Sequence, residues 1–367
     1  MAKTLQQIIG GRNLTGLIQG VTPGLNSGKL PPALFANPVR RTVKGNTAKY
    51  KQVNGTRKTA RIQQYGSPSE KRSLSGVQDK PVVLLHTFEH INHAASVLIN
   101  LQSTNGDDQR MGQEEVDRQT TEFAQLFTNL RLAAMFSAFG LGAIHFDSDG
   151  NMLPSATGAA VTVDFEIPAG NKDQLNVLGA GNIIDASWAT ATTAIIRHVQ
   201  KIQEAAIKKT GYPIVHAIYG ANILDYLLNN NQTKELINRS QNNNAGASRA
   251  SIPDGFMGLT WWPGYEGMFF EDQNGTAQSL IGDDTIVFLP EPDRTWFEVL
   301  EGTFAVPQNL NITSDGGAAL ASLAEVAGPF SYAETQTDPV SVKQMAGDTF
   351  LPVIKVPNAV MIADVAP

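Results

Sequence analysis

The chain has 367 residues, 42% hydrophobic and 17% charged, with a formal net charge of −6 and no cysteine. Its length allows a large core and two domains, and its composition is that of a globular chain rather than a disordered one. The lack of cysteine excludes disulfide frameworks, thiolate metal sites and cysteine nucleophiles, and it agrees with a reducing compartment.

No apolar run reaches the length of a membrane span, and the opening "MAKTLQQIIGGRN" has no signal-peptide core. The expectation is a soluble protein with no membrane partner, not exported by the usual route. Charge is unevenly spread. Residues 1–80 carry 14 Lys and Arg against two acids, Glu70 and Asp79, whereas 81–367 carry 14 basic and 32 acidic residues. A basic front end on an acidic body binds either nucleic acid or the acidic body of another copy.

Residues 1–40 are rich in Gly, Pro and Asn ("VTPGLNSGKLPPALFANP") and show no amphipathic period, so they read as an arm that does not order by itself. In "YKQVNGTRKTARIQQYG", Tyr50 to Gly66, Asn54-Gly55 predicts a type I′ hairpin turn. Its arms carry Lys51, Arg57, Lys58 and Arg61 and few apolar groups. A lone two-stranded ribbon is marginal in water, so this one either stays solvated or lies on a partner.

From Lys80 the pattern is globular. "PVVLLHTFEHI" reads as a strand, and Glu114 to Phe139 as a long helix of about 40 Å. Its expected buried face is Val116, Phe123, Leu126, Phe127, Leu130, Ala133, Ala134 and Ser137. Glu114, Glu115 and Asp117 are expected in its first turn, where the helix dipole favours acids. "AIHFDSDGNM" and "AVTVDFEIP" predict strands. "TATTAIIRHVQKIQEAAIKKTG" predicts an amphipathic helix closed by Lys208, Lys209 and Gly211. "PIVHAIYG" predicts a buried strand and "ANILDYLLNN" a short helix, and "GLTWWPGYEGMFF" and "DDTIVFLPE" predict two further strands. At the C-terminus, Leu351–Val356 and Ala359–Ala363 predict a strand pair around Pro357-Asn358. The fold class is a two-domain α+β protein.

Catalytic motifs are few. "HTFEH", His86 to His90, fits the H-x-x-E-H zinc pattern, in which Glu89 would activate water and His93 would add a third imidazole. That chemistry needs a helix. The preceding Val-Val-Leu-Leu and the alternation of His86, Phe88 and His90 favour a strand, on which the two histidines stand roughly 13 Å apart. "GAGNII" (Gly179 to Ile184) lacks a strand–turn–helix context, and "DSDG" (Asp147 to Gly150) lacks the remaining ligands of a calcium loop. Trp261 and Trp262, beside Pro263, read as core packing at a strand end. No cofactor, metal or catalytic residue is implied, and the chain does not read as an enzyme.

The order of parts resembles the major capsid proteins of tailed bacteriophages, the Hong Kong 97-type fold, and within it the lambda-like group. The likeness rests on "VTVDFEIP" followed by Trp188 and "YPIVHAIYGANILDYLL", and on "FMGLTWWPGYEGMFFEDQNGTAQSLIGDDTIVFLPE" with Asp283 and Thr285 in matching places. It also rests on the closing "DPVSVKQMAGDTFLPVIKVPNAVMIADV", with Pro357 and Asp364. It covers residues 110–367 well; in 1–110 only the basic, Gly-rich character matches.

The resemblance implies a segmentation: an N-terminal arm over 1–40, an extended loop over 41–80 and a peripheral domain over 81–187 with its spine helix at 114–139. An axial domain would span 188–324, and peripheral C-terminal strands 325–367, the last hairpin completing the peripheral sheet. The implied function is a major capsid protein that assembles into pentamers and hexamers of an icosahedral head enclosing double-stranded DNA. The chain would be made in the host bacterial cytoplasm and located in the virion. Implied partners are other copies of the chain, a decoration protein, a separate scaffolding protein, a portal at one vertex and non-specifically held DNA. Arg40, Arg41, Lys44, Lys49, Lys51, Arg57, Lys58 and Arg61 are the expected inter-subunit contacts. Nucleic-acid binding by the basic arm and zinc hydrolysis at HTFEH stand as alternatives.

Overall fold

The computed structural model describes residues 31–35, 38–53, 76–103, 105–172, 183–242, 252, 255–264, 269–271, 277–308, 322–337 and 340–366. Its spine is α3, Gly106–Gly140, preceded by α1 (Pro32–Phe35) and α2 (Ala95–Gln102). The expected helix at 114–139 therefore begins eight residues earlier. Asn105 supplies the cap, its side-chain oxygen accepting from the Asp107 N–H, and Asp107 and Asp108 occupy the first turn in place of Glu114, Glu115 and Asp117. At about 1.5 Å per residue the helix is roughly 50 Å long. Val116, Thr120, Phe123 and Phe127 line its buried face, and from Leu132 to Gly140 it is buried all round. Leu126, expected inside, is 55% exposed.

One face of a six-stranded sheet carries this helix. Its central order is β1 (Arg40–Val43), β13 (Phe297–Gln308), β16 (Val340–Ile354) and β15 (Phe330–Thr337). β14 (Ser322–Ala327) pairs with β13, and β4 (Leu85–His93) pairs with β16. On the helix side Phe123 and Phe127 pack on Ile91 and Ala346. On the other side Phe88, Phe304, Phe330 and Tyr332 form a stacked aromatic plate over Gly347. A Cβ on Gly347 would stand 2.6 Å from Phe330, so only glycine lets the rings lie flat there.

A second sheet, order β17 (Met361–Asp364), β12 (Thr285–Pro290), β8 (Ile214–Tyr219) and β9 (Thr260–Pro263), is buried on both faces. Along β12, Ile286 and Phe288 face Val199 and Ile202 of α4 (Ile195–Thr210), while Val287 and Leu289 join the core around α3. This double burial explains why "TIVFLP" is apolar without alternation. α5 (Ile223–Asn229) and α6 (Asn231–Asn242) flank the sheet. Two smaller sheets are formed by β5 (Ala143–Phe146), β6 (Met152–Leu153) and β7 (Val161–Asp164), and by β10 (Phe269–Glu271) with β11 (Ala277–Ser279).

Three expectations are corrected. The last two strands do not form a hairpin: β16 lies in the first sheet and β17 pairs with β12 in the second, because a 3-10 turn at Pro357–Ala359 carries the chain from one to the other. Sheet membership also crosses the segment limits at 188–324 and 325–367, since β13 belongs to the first sheet and β17 to the second. Finally, part of the front end folds on its own body. Leu34 and Phe35 are buried, with Phe35 stacked 4.5 Å from Phe136, and β1 adds in parallel to β13. β2 (Thr47–Val53) and β3 (Val77–Val83) form the ribbon, Tyr50 facing Lys80. Ala48, Tyr50 and Gln52 point into the body and alternate with exposed Thr47, Lys49 and Lys51. Tyr50 thus pairs with Lys80 of β3; the turn expected at Asn54-Gly55 lies outside the described residues.

Candidate subunit-contact surface

The eight expected contact residues fall into three groups. Arg40 and Arg41 are matched within the chain: Arg40 lies 3.5 Å from Glu301, and Arg41 Nε lies 2.9 Å from Glu298. Both acids are buried in β13. Glu298 also has Lys355 at 2.7 Å, and Glu301 has Arg131 at 2.9 Å. Arg131 rises from α3 to grip the fully buried Asp348 with two N–H donors and covers the Phe350 ring at 5.0 Å. Burial pulls the Arg131 pKa down, but the ion pairs with Asp348 and Glu301 outweigh it and hold the guanidinium charged. Sequence reasoning missed these carboxylates. Two acids three apart in the apolar run "FEVLEG" were the available signal, but nothing in it said which cations would meet them.

Lys44, Lys49 and Lys51 form the second group and lie on the surface. Lys44 approaches Glu325 at 3.7 Å with both side chains largely exposed, a contact of little energetic weight. Lys49 and Lys51 project from the outer face of the ribbon beside Val77 and Val83, which are 53% and 64% exposed. The ribbon itself is firmly seated: Gln52 donates to the Phe165 carbonyl, the Val53 N–H to the Lys355 carbonyl, and Lys80 pairs with Glu166. Burial, reinforced by the Glu166 and Asp164 charges, pushes the Tyr50 phenol up to about 12. Arg57, Lys58 and Arg61, the third group, lie outside the described residues.

The opposite kind of surface lies on the N-terminal half of α3. Between Gly106 and Glu122 it carries six acids and two arginines. Arg118 is clamped between Glu115 and Glu122, with hydrogen bonds of 2.6 to 2.9 Å. Hydrogen bonds from Arg118 and Gln119 hold the Glu115 carboxyl down at about 2. Met111 and Leu126, 61% and 55% exposed, flank this charged stretch.

HTFEH lies on β4, a strand, so His86 and His90 do not share a helical turn as zinc binding by that motif requires. His86 contacts the Thr349 hydroxyl at 2.8 Å, and His93 is buried between Gln119 and Gln344, 2.8 Å from each. Among the described residues no group of three or more His, Asp or Glu is placed to hold a metal ion, and no helix is long and apolar enough to cross a membrane.

The family model described as phage major capsid protein E matches residues 28–365. No curated protein matched the chain. Among solved structures, the putative capsid protein of a prophage of E. coli CFT073 superposes with a TM-score of 0.53 at 11% identity, covering 100% of this chain and 99% of that one. A phage-related protein from Bordetella bronchiseptica RB50 gives 0.50 at 10% identity, with 96% of each chain covered. Identities this low speak for the fold alone, and the fold is the mixed helix-and-sheet arrangement of the Hong Kong 97-like phage capsid proteins.

Proposed function

The chain belongs to the phage major capsid protein E family and is a capsid-forming protein, and from that premise we propose that it builds the icosahedral head of a tailed phage as pentamers and hexamers around double-stranded DNA. The observation that carries the reading is a pair of complementary surfaces that one chain cannot bring together. The cationic, valine-bearing ribbon is seated beside the C-terminal end of α3, where Gln52 donates to the Phe165 carbonyl and the Phe165 N–H donates to the Gly142 carbonyl. The acidic stretch around Glu115 lies about twenty-five residues before that end of the same helix, roughly 37 Å away. A second copy supplies the missing half. Contacts between two different patches are head-to-tail, and such contacts close into rings when the rotation permits. Each contact need not be strong, because every copy is held by several neighbours at once.

In this reading Lys44, Lys49 and Lys51 reach the neighbour. Arg40 and Arg41 instead hold β1 in its own sheet, and Arg57, Lys58 and Arg61 stay in the proposal as further contacts with that neighbour. The unit around the first sheet corresponds to the peripheral domain and the unit around β8, β9, β12 and β17 to the axial one, with their limits set by sheet membership. We assign no catalytic step. A portal, a scaffolding protein and a decoration protein remain expected partners, the chain being made in the host cytoplasm and carried in the virion. The test is negative-stain microscopy of the full chain expressed with and without its scaffolding partner. Closed shells with pentameric and hexameric clusters are expected; a chain that stays monomeric in both conditions would refute the reading.

A further inference from the structure

The face of the first sheet that turns away from α3 carries the ribbon at one end and the aromatic plate at the other. A Cβ on Gly302 would meet the Gly45 carbonyl at 2.6 Å and Leu84 at 2.9 Å, so the foot of the ribbon rests there. From that foot β2 runs toward the far end of the β13–β16 pairing. There the Val53 N–H donates to the Lys355 carbonyl, next to Ile354, the strand partner of Phe297. Phe304 lies in the opposite direction from Gly302, and the plate with it. The ribbon of a chain therefore leads away from that chain's own plate, by roughly 20 Å along β2.

The plate is tiered. Phe330 lies lowest, 1% exposed and seated on Gly347, with Phe304 stacked on it at 4.5 Å. Phe88 is 44% exposed and touches the rings of Phe304 and Tyr332. His86 extends the row, stacked 5.4 Å from Phe304 and tied to the Thr349 hydroxyl. The charged residues beside the rings on this face, Lys343 and Glu334, stand opposite each other in register. The plate thus presents π-surface without a local excess of charge. A guanidinium suits such a surface, being planar, cationic and weakly hydrated. On its helix side the same sheet makes that contact already, where Arg131 covers the Phe350 ring.

We propose that the plate seats the far end of the ribbon from a second copy, with Arg57 or Arg61 laid on the exposed ring of Phe88. Residues 54–75, which lie outside the described residues, carry Arg57, Lys58, Arg61, Lys71 and Arg72 against Glu70 alone. A stretch of that length reaches out and returns over at most roughly 35 Å, enough to pass a subunit boundary. The plate also lies across the sheet from the end of the acidic stretch of α3. Ala346 packs on Phe123 on one side, and Gly347 lies under Phe330 on the other. A neighbour's ribbon that meets those acids through Lys49 and Lys51 has the plate within about 10 Å, the thickness of one packed layer. The inference rests on the head-to-tail contact proposed above and adds where its far end goes.

The test uses shells of the full chain in which p-benzoylphenylalanine replaces Gln63, a change that leaves every cation of the ribbon in place. Shells are assembled from equal amounts of heavy-isotope-labelled and unlabelled chain and irradiated, and the cross-linked peptides are identified by mass spectrometry. Adducts that join labelled to unlabelled chain are expected on residues 85–93, 303–306 and 330–335. Adducts confined to one chain, or falling on other segments, overturn this inference and leave the capsid reading standing. A chain that forms no shells under any condition overturns both. Two further chains test the chemistry: Phe88→Trp keeps a π-face, whereas Phe88→Leu keeps only apolar area. Cross-link yield at the plate should persist in the first and fall about fivefold in the second, the ratio that one cation–π contact represents. Equal yields in the two variants would overturn the stacking of a ribbon cation on the plate.

Discussion

Arg131 ties the spine helix to the first sheet through Asp348 and Glu301. It is the cation that α3 supplies to Asp348, which is fully buried in β16, and it shares Glu301 with Arg40. Replacing Arg131 with methionine keeps most of the side-chain volume but strands a buried carboxylate, which costs about 3 kcal/mol in comparable pairs. Urea unfolding of the unassembled chain should show that loss, and Arg131→Met/Asp348→Asn should recover part of it. A single variant as stable as wild type would mean that the pair carries no weight. Very little of this was legible in the sequence, because Arg131 sits in the polar stripe of a helical repeat and Asp348 in a strand that alternates only loosely. Buried charge pairs join residues 217 apart, and no local pattern records that distance. His86 was legible, by contrast, because alternation within a nine-residue run is a local property.

At the level of elements, periodicity located α3 and α4, each of which buries one face with a regular repeat, and unbroken apolar runs located β8 and β12, which are buried on both faces. Ends and pairings were harder. The start of α3 was missed because residues 106–113 are polar and carry no apolar stripe; the cap at Asn105 and the acids behind it define that end instead. Pairing failed at the C-terminus for a related reason. Two apolar runs around a Pro-Asn pair predict a hairpin, yet the 3-10 turn at Pro357–Ala359 sends the second run to a different sheet. Asn171 holds that turn open by donating to the Asn358 and Val360 carbonyls, at 3.0 and 3.1 Å. The consequence is that β17 covers the edge of β12, with Met361, Ile362, Ala363 and Val365 all buried. A chain ending at Pro357 would uncover that edge together with apolar side chains worth roughly 2 kcal/mol each. It should collect in the insoluble fraction on expression. A soluble truncated chain with a cooperative unfolding transition would show that β17 is dispensable.

For the whole molecule, the uneven charge seen in composition resolves into two uses of basic residues. Arg40 and Arg41 bind β1 to buried acids of the same chain, so reversing them would place like charges beside Glu301 and Glu298 and unfold the sheet edge. They cannot report on assembly. Lys44, Lys49 and Lys51 can, because their side chains lie at the surface and contribute little to the stability of one chain. The triple variant Lys44→Glu/Lys49→Glu/Lys51→Glu should keep wild-type secondary structure and unfolding behaviour but fail to form shells, as read by sedimentation and negative stain. If the partner surface is the acidic half of α3, adding Glu114→Lys and Glu122→Lys should restore particles, since the attraction is re-formed with its signs exchanged. Raising the salt concentration should weaken assembly of wild type and of the compensated chain alike, as both would rest on exposed charges. Normal shells from the triple variant would remove the electrostatic part of the argument and leave Val77 and Val83 to carry the contact. Failure of the compensated chain alone would instead move the partner surface away from α3.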